Sequence, residues 1–378
     1  MRADSPTDAP IRQIDAVQWL RAIAVLLVIG LHSIELVKFR HDSLGDHLGV
    51  LSSTTFPDQF GASGVDLFFV ISGFVMALLL ERIPHGNWKS FIGARIRRIV
   101  PLYWFATISM VALLLIIHAP IDRHSALASL TIWPIPGRAT VDPPILVVGW
   151  SLAFELAFYC ALIPALFAPA RLRGLTALLI VTMLAATGQL LHPDDNLVAL
   201  FLNAIWYEFA LGLLLYLWWR RGLDRTLARV GAVLGGVLLL TGIFYAAVPE
   251  TRPFAIYNHK EAFDRALYWG IPWTAVLAGA LSVDHRGWLS NVLIRIGDAS
   301  YALYLTHMLV MTSLLWLLPP FVAAPDLVPI IALSLALVLG LAAHAFVELP
   351  VLAYLKTKPM RSQSASTPSS AASVRAAH

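Results

Sequence analysis

Charge is scarce in this chain of 378 residues: Asp, Glu, Lys and Arg together make up 13%, against 58% hydrophobic residues, and mean hydropathy is +0.73. That balance excludes an ordinary water-soluble domain. Cysteine is nearly absent. Cys160 stands alone in an apolar run, so neither a disulfide framework nor a cysteine metal site is available. A cleavable signal is not expected, because MRADSPTDAPIRQID is short, polar and mixed in sign, and the first apolar run is too long for an h-region. No soluble catalytic domain is expected at either end. What the chain does have is 23 Pro and 12 Trp, which suit a polytopic helical protein with broken helix ends and aromatic belts.

Apolar runs of spanning length fall near 16–37, 63–81, 99–118, 145–167, 174–191, 197–219, 230–248, 266–282, 299–318 and 327–347. The expected fold is therefore all-α, a polytopic membrane bundle of about ten transmembrane helices. Of the 27 Lys and Arg, the odd-numbered loops hold only Lys38, Arg40, Arg123, Arg138, Arg252, Lys260 and Arg265. The positive-inside rule then places both termini in the cytoplasm. The net charge of +4 is thereby explained as topology, with no nucleic-acid partner implied. The expected organisation is a cytoplasmic segment over 1–13, one membrane domain over 14–355 and a disordered Ser/Ala-rich tail over 356–378.

Two polar residues interrupt the first apolar run, Arg21 and His32 in WLRAIAVLLVIGLHSIEL. Eleven helical residues turn about 1,100° and rise about 16 Å, so both lie on one face at different depths. Ionisable groups inside a span are functional candidates because burying them in lipid is costly. The plainer alternative is a snorkelling arginine and a histidine bonded to a neighbouring helix. Glu35 follows His32 at i+3 and is placed to orient the imidazole, or else to sit exposed at the helix end.

Four further segments carry polar constellations. In FGASGVDLFFVISGFVM, the small residues Gly61, Gly64, Ser72 and Gly73 favour close helix packing, and Asp66 is a cap or part of an acceptor site. In FIGARIRRIVPLYWF, Arg95, Arg97 and Arg98 cluster just outside the hydrocarbon, followed by Pro101 and Tyr103. Positive-inside anchoring accounts for such a cluster; an anion clamp for phosphates is the functional reading. In GWSLAFELAFY, Trp150 and Ser151 open the span, and Ser151, Glu155 and Tyr159 share a face. Glu155 is expected to bind the acceptor or support His32. Later, GDASYALYLTH brings Ser300, Tyr304 and His307 near one face. His344 and Glu348 at i, i+4 read as a bonded pair rather than a metal site, since no third ligand is near.

Taken in order, Arg21 and His32 with ten residues between them, GVDLFFVISGF, RIRRIVPLYW, WSLAFE, SYALYLTH and VELP resemble the acyltransferase 3 family of integral membrane acyltransferases. The match runs from about residue 14 to about residue 350. The resemblance implies transfer of an acyl group, commonly acetyl from acetyl-CoA, to a hydroxyl on an extracytoplasmic or lipid-linked glycan such as exopolysaccharide or O-antigen. It implies the donor acyl-CoA, no metal, a multi-pass location in the bacterial cytoplasmic (inner) membrane among its lipids, and partners in polysaccharide biosynthesis. It assigns the essential role to His32 and the donor to Arg21, Arg95 and Arg98, with Arg97 and Tyr103 beside them. Glu35 and Glu155 would assist His32, and Asp66, Ser72, Trp150 and Ser151 would face the acceptor. The chain fits the stand-alone type without a fused esterase-like domain. A transporter and an assembly subunit are the rival readings; no inverted repeat supports the first, and the second has no need of His32 aligned with Arg21.

Overall fold

The computed structural model describes residues 14–44, 48–53, 56–134, 143–241, 259–284, 286–318 and 324–357. Described residues form helices and turns without strands, in the order α1 (Asp15–Leu44), α2 (Phe56–Arg82), α3 (Trp88–Ile116), α4 (Arg123–Thr131), α5 (Gly149–Ala161), α6 (Arg173–Leu191), α7 (Asn196–Phe201), α8 (Trp206–Arg220), α9 (Arg225–Thr241), α10 (His259–Arg265), α11 (Ile271–Leu281), α12 (Trp288–Asp298), α13 (Ser300–Leu317), α14 (Leu327–Ala343) and α15 (Leu349–Thr357). With no water in the hydrocarbon core, each backbone N–H and C=O must be met within its own segment, and helices do this.

Eight segments among the described residues are long and apolar enough to cross a membrane: Asp15–Asp42, Phe60–Arg82, Trp88–Ile116, Gly149–Phe167, Ala170–Leu191, Asn196–Arg220, Ser300–Leu317 and Leu327–Leu355. The other two expected spans, 230–248 and 266–282, fall on α9 and on α11 with the π turn Ala266–Gly270 before it. These two pack together closely: a methyl on Gly235 would stand 2.6 Å from the Pro272 carbonyl oxygen. Residues 242–248 of the first lie outside the described residues, as do 1–13 and 358–378 of the expected terminal segments.

α2 is the centre of the bundle. Its most apolar stretch is 78% buried, against 22% for Leu327–Leu355, which presents its apolar surface outward. Small residues explain how neighbours come so near. A methyl on Gly64 would lie 2.5 Å from the Ala24 carbonyl oxygen of α1, and one on Gly73 only 2.1 Å from the Phe209 carbonyl oxygen of α8. On α8, Gly212 meets the Val70 carbonyl oxygen at 2.0 Å in the same construction. The glycine-rich pattern in α2 is thus a contact surface on both sides, as the sequence indicated.

α3 starts earlier than its apolar run suggests. Asn87 caps it by accepting from Ser90 N at 3.3 Å, and the helix continues through Pro101 to Ile116. Arg95, Arg97 and Arg98 therefore ride on the helix wall itself and do not precede it. The helix carrying His344 and Glu348 is interrupted by a π turn, His344–Glu348, before α15. The two side chains bond across it, His344 Nδ1 to Glu348 Oε2 at 2.7 Å, as the i, i+4 spacing foretold.

Candidate active site

Two adjoining cavities run into the bundle. The wider vestibule, about 610 Å³, lies between α1, α3 and the α14–α15 segment, and its polar wall includes Arg21, Arg95, Arg97, Arg98, Asp298 and Glu348. The inner cavity, about 110 Å³, is lined by α1, α2, α3, α5 and α13, and shares Arg21, Arg95 and Arg98 with the vestibule. Those three arginines form the neck between them. Arg21 Nε donates to Ser300 Oγ at 3.1 Å. The Arg95 guanidinium lies over the Tyr159 ring at 5.9 Å, and its Nε has no hydrogen-bond partner among the described residues. Arginine donors left unspent at a neck suit an anion with forked oxygens.

Beyond the neck, one face of α5 supplies the polar groups, because Ser151, Glu155 and Tyr159 recur at single-turn intervals. Ser72 Oγ donates to Glu155 Oε1 at 3.2 Å, and the Tyr159 hydroxyl donates to the same oxygen. At the far end the Ser151 and Tyr304 hydroxyls bond to each other at 2.7 Å, and both reach the Val148 carbonyl oxygen. Behind Tyr304 lies His307, with ring centroids 6.0 Å apart, and behind His307 lies His32, with centroids 5.0 Å apart. The residues of SYALYLTH thus serve three stations in turn: Ser300 at the neck, Tyr304 at the cavity end and His307 at the histidine.

His32 sits on α1 with Nδ1 2.9 Å from the Val28 carbonyl oxygen and 3.2 Å from His307 Nε2. Glu35 lies one turn on, its Oε2 3.9 Å from His32 Nε2, with its side chain 41% exposed. α1 extends to Leu44, so Glu35 is within the helix and not at its end.

Several expected site residues lie elsewhere. Glu155 bonds to Ser72 and Tyr159 near the arginine neck, so the expectation that it supports His32 gives way to a place on the arginine side. Asp66 is fully buried on the opposite face of α2, where Arg265 of α10 forks onto both carboxylate oxygens at 3.1 and 2.7 Å. A carboxylate so neutralised ties α2 to α10 and has no oxygen turned to the cavity. Tyr103 is buried against Gly149 at the start of α5, away from the neck; a methyl there would meet its ring at 3.0 Å. Trp150 packs edge-on to Phe69 and Phe154 and is not on the cavity wall. Arg97 lines the vestibule and not the inner cavity.

Sequence reasoning missed two pairings, His307 with His32 and Arg265 with Asp66. The spacing within SYALYLTH was the available signal for the first. The second carries none that one sequence displays.

No solved structure matches the chain. The exopolysaccharide production protein ExoZ of Rhizobium meliloti is 33% identical over 261 residues, covering 65% of this chain and 75% of that protein. Nodulation protein 10 of Rhizobium leguminosarum bv. viciae is 28% identical over 315 residues, covering 74% and 80%. The family model described as an acyltransferase domain matches residues 14–345, nearly the whole helical bundle with the inner cavity and His32. This multi-pass membrane protein therefore belongs to the acyltransferase 3 family.

Proposed function

We propose that the protein is a membrane O-acyltransferase that moves an acyl group, acetyl in the simplest case, from cytosolic acyl-CoA to a hydroxyl of an extracytoplasmic or lipid-linked glycan. The observation that carries this reading is the arginine-necked passage leading from the vestibule to the Ser151–Tyr304 pair beside His307 and His32. CoA has phosphates at one end of a long arm and a thioester at the other. The passage offers charge first and hydroxyls last, in that order. The exopolysaccharide production for which the relative from Rhizobium meliloti is named supports an exopolysaccharide acceptor.

In this reading Arg21, Arg95 and Arg98 hold the phosphates, Arg97 attracts them at the rim, and the arm passes Ser72 and Glu155. His32 Nε2 takes the proton of the acceptor hydroxyl as its oxygen attacks the thioester carbonyl. The tetrahedral intermediate collapses with cleavage of the C–S bond, and the imidazolium returns its proton to the departing thiolate. Ester and free CoA are the products. Bringing two reactants into register between fixed helices supplies a large part of the rate.

Membranes bearing the protein, given radiolabelled acetyl-CoA and a panel of surface glycans, test the proposal. Transfer is expected to at least one glycan. His32→Ala should lower it by at least about 100-fold, with CoA affinity within about twofold of wild type. Near-normal turnover in His32→Ala refutes the assignment of the base.

A further inference from the structure

His307 is wholly buried in α13 and lines neither the vestibule nor the inner cavity, yet its ring is bonded at both nitrogens. Nδ1 lies 3.2 Å from the Leu303 carbonyl oxygen, and Nε2 lies 3.2 Å from His32 Nδ1. A carbonyl oxygen only accepts, so the Leu303 contact puts the His307 proton on Nδ1 and leaves Nε2 bare. The same logic applies to His32, whose Nδ1 faces the Val28 carbonyl oxygen at 2.9 Å. Its proton is therefore on Nδ1, shared between Val28 and the bare Nε2 of His307. The reverse arrangement would set both bare Nδ1 atoms against the Val28 and Leu303 carbonyl oxygens, acceptor against acceptor. His32 Nε2 is then the unprotonated nitrogen, on the side where the Glu35 carboxylate stands 3.9 Å away.

From this geometry we infer that His307 is a positioning residue that fixes the tautomer and ring orientation of His32 and so keeps His32 Nε2 free to take a proton. The inference rests on the reading of His32 as the base. The orienting role resembles that of the third member of a nucleophile–base–orienter set, but it is filled by a neutral imidazole. A neutral orienter suits a bundle interior, where an added carboxylate would need its own partner. Val28 alone constrains one hydrogen bond and leaves the ring able to turn about χ2; the second contact from another helix removes that freedom.

The test compares three variants in membranes, with radiolabelled acetyl-CoA and the host's own surface glycan as acceptor. His307→Leu keeps bulk but offers no acceptor. His307→Gln places an amide oxygen near the former Nε2. The expected result is a loss of about 100-fold in kcat for His307→Leu with KM for acetyl-CoA within about twofold, and recovery to within about tenfold of wild type in His307→Gln. His32→Ala is the third arm. If it stays active, the base reading fails. If it is inactive while His307→Leu keeps wild-type kcat, the base reading stands and the positioning role is overturned. Equal impairment of the Leu and Gln variants with weakened acetyl-CoA binding also overturns it, by showing that His307 only holds the fold together.

Discussion

Arg21→Ala is the most informative substitution at the neck, and its size can be worked out in advance. Nε is engaged by Ser300 Oγ; among the described residues no hydrogen bond takes the two terminal nitrogens, and the side chain borders both cavities. A charge-assisted bond from such a partly enclosed guanidinium to phosphate contributes about 1.5–3 kcal/mol. Removing it should weaken CoA binding about 10- to 150-fold. Arg97 lines the vestibule and lies off the inner cavity, away from the neck. Arg97→Ala should cost under about 1 kcal/mol, or about fivefold, and its effect should shrink as ionic strength rises. Arg21→Lys keeps the charge without the fork and should fall between wild type and alanine. Calorimetry of CoA binding to the purified protein in nanodiscs, at two salt concentrations, measures all of these. A monodisperse Arg21→Ala variant that binds CoA within about twofold of wild type would refute the placement of phosphate at the neck.

Two predictions concern the frame around the site. Asp66→Leu should destabilise the protein by about 1–3 kcal/mol, since Arg265 loses the carboxylate it forks onto and keeps the Glu208 carboxyl nearby; thermal unfolding in detergent reads this. Gly73→Ala forces a methyl onto the Phe209 carbonyl oxygen of α8 and should cost at least about 1–3 kcal/mol by the same measurement, with no gain from a compensating change in any side chain.

Much of the membrane bundle was readable because both its signals are local. Hydrophobic length marks a span, and the helical period puts Arg21 and His32, or Ser151, Glu155 and Tyr159, on shared faces. What was misplaced depended on partners far along the chain. Asp66 reads as a free acid until Arg265, 199 residues on, takes both its oxygens. Glu155 reads as an outer-half carboxylate until Ser72 and Tyr159 are seen to hold it on the arginine side. Tyr103 follows a basic cluster at an interface, and nothing in that position says that its ring turns toward Gly149. The start of α3 was set too late because apolarity marks where lipid begins, whereas the Asn87 cap marks where the helix does.

The crossing of α2 and α8 at Gly73 and Gly212 bears on how the substrates would meet. Ser72, beside Gly73 in sequence, faces the cavity, so the wall of the passage is pinned from behind by main chain against main chain with no side chain to act as a bearing. Exchangers that carry a solute across a membrane rock one half of the bundle over the other, and that motion needs a seam that slides. Here the seam is a latch. For the proposed reaction, such a bundle would serve as a fixed two-sided bench, with donor and acceptor brought to a stationary His32 from opposite faces and only the acyl group changing sides.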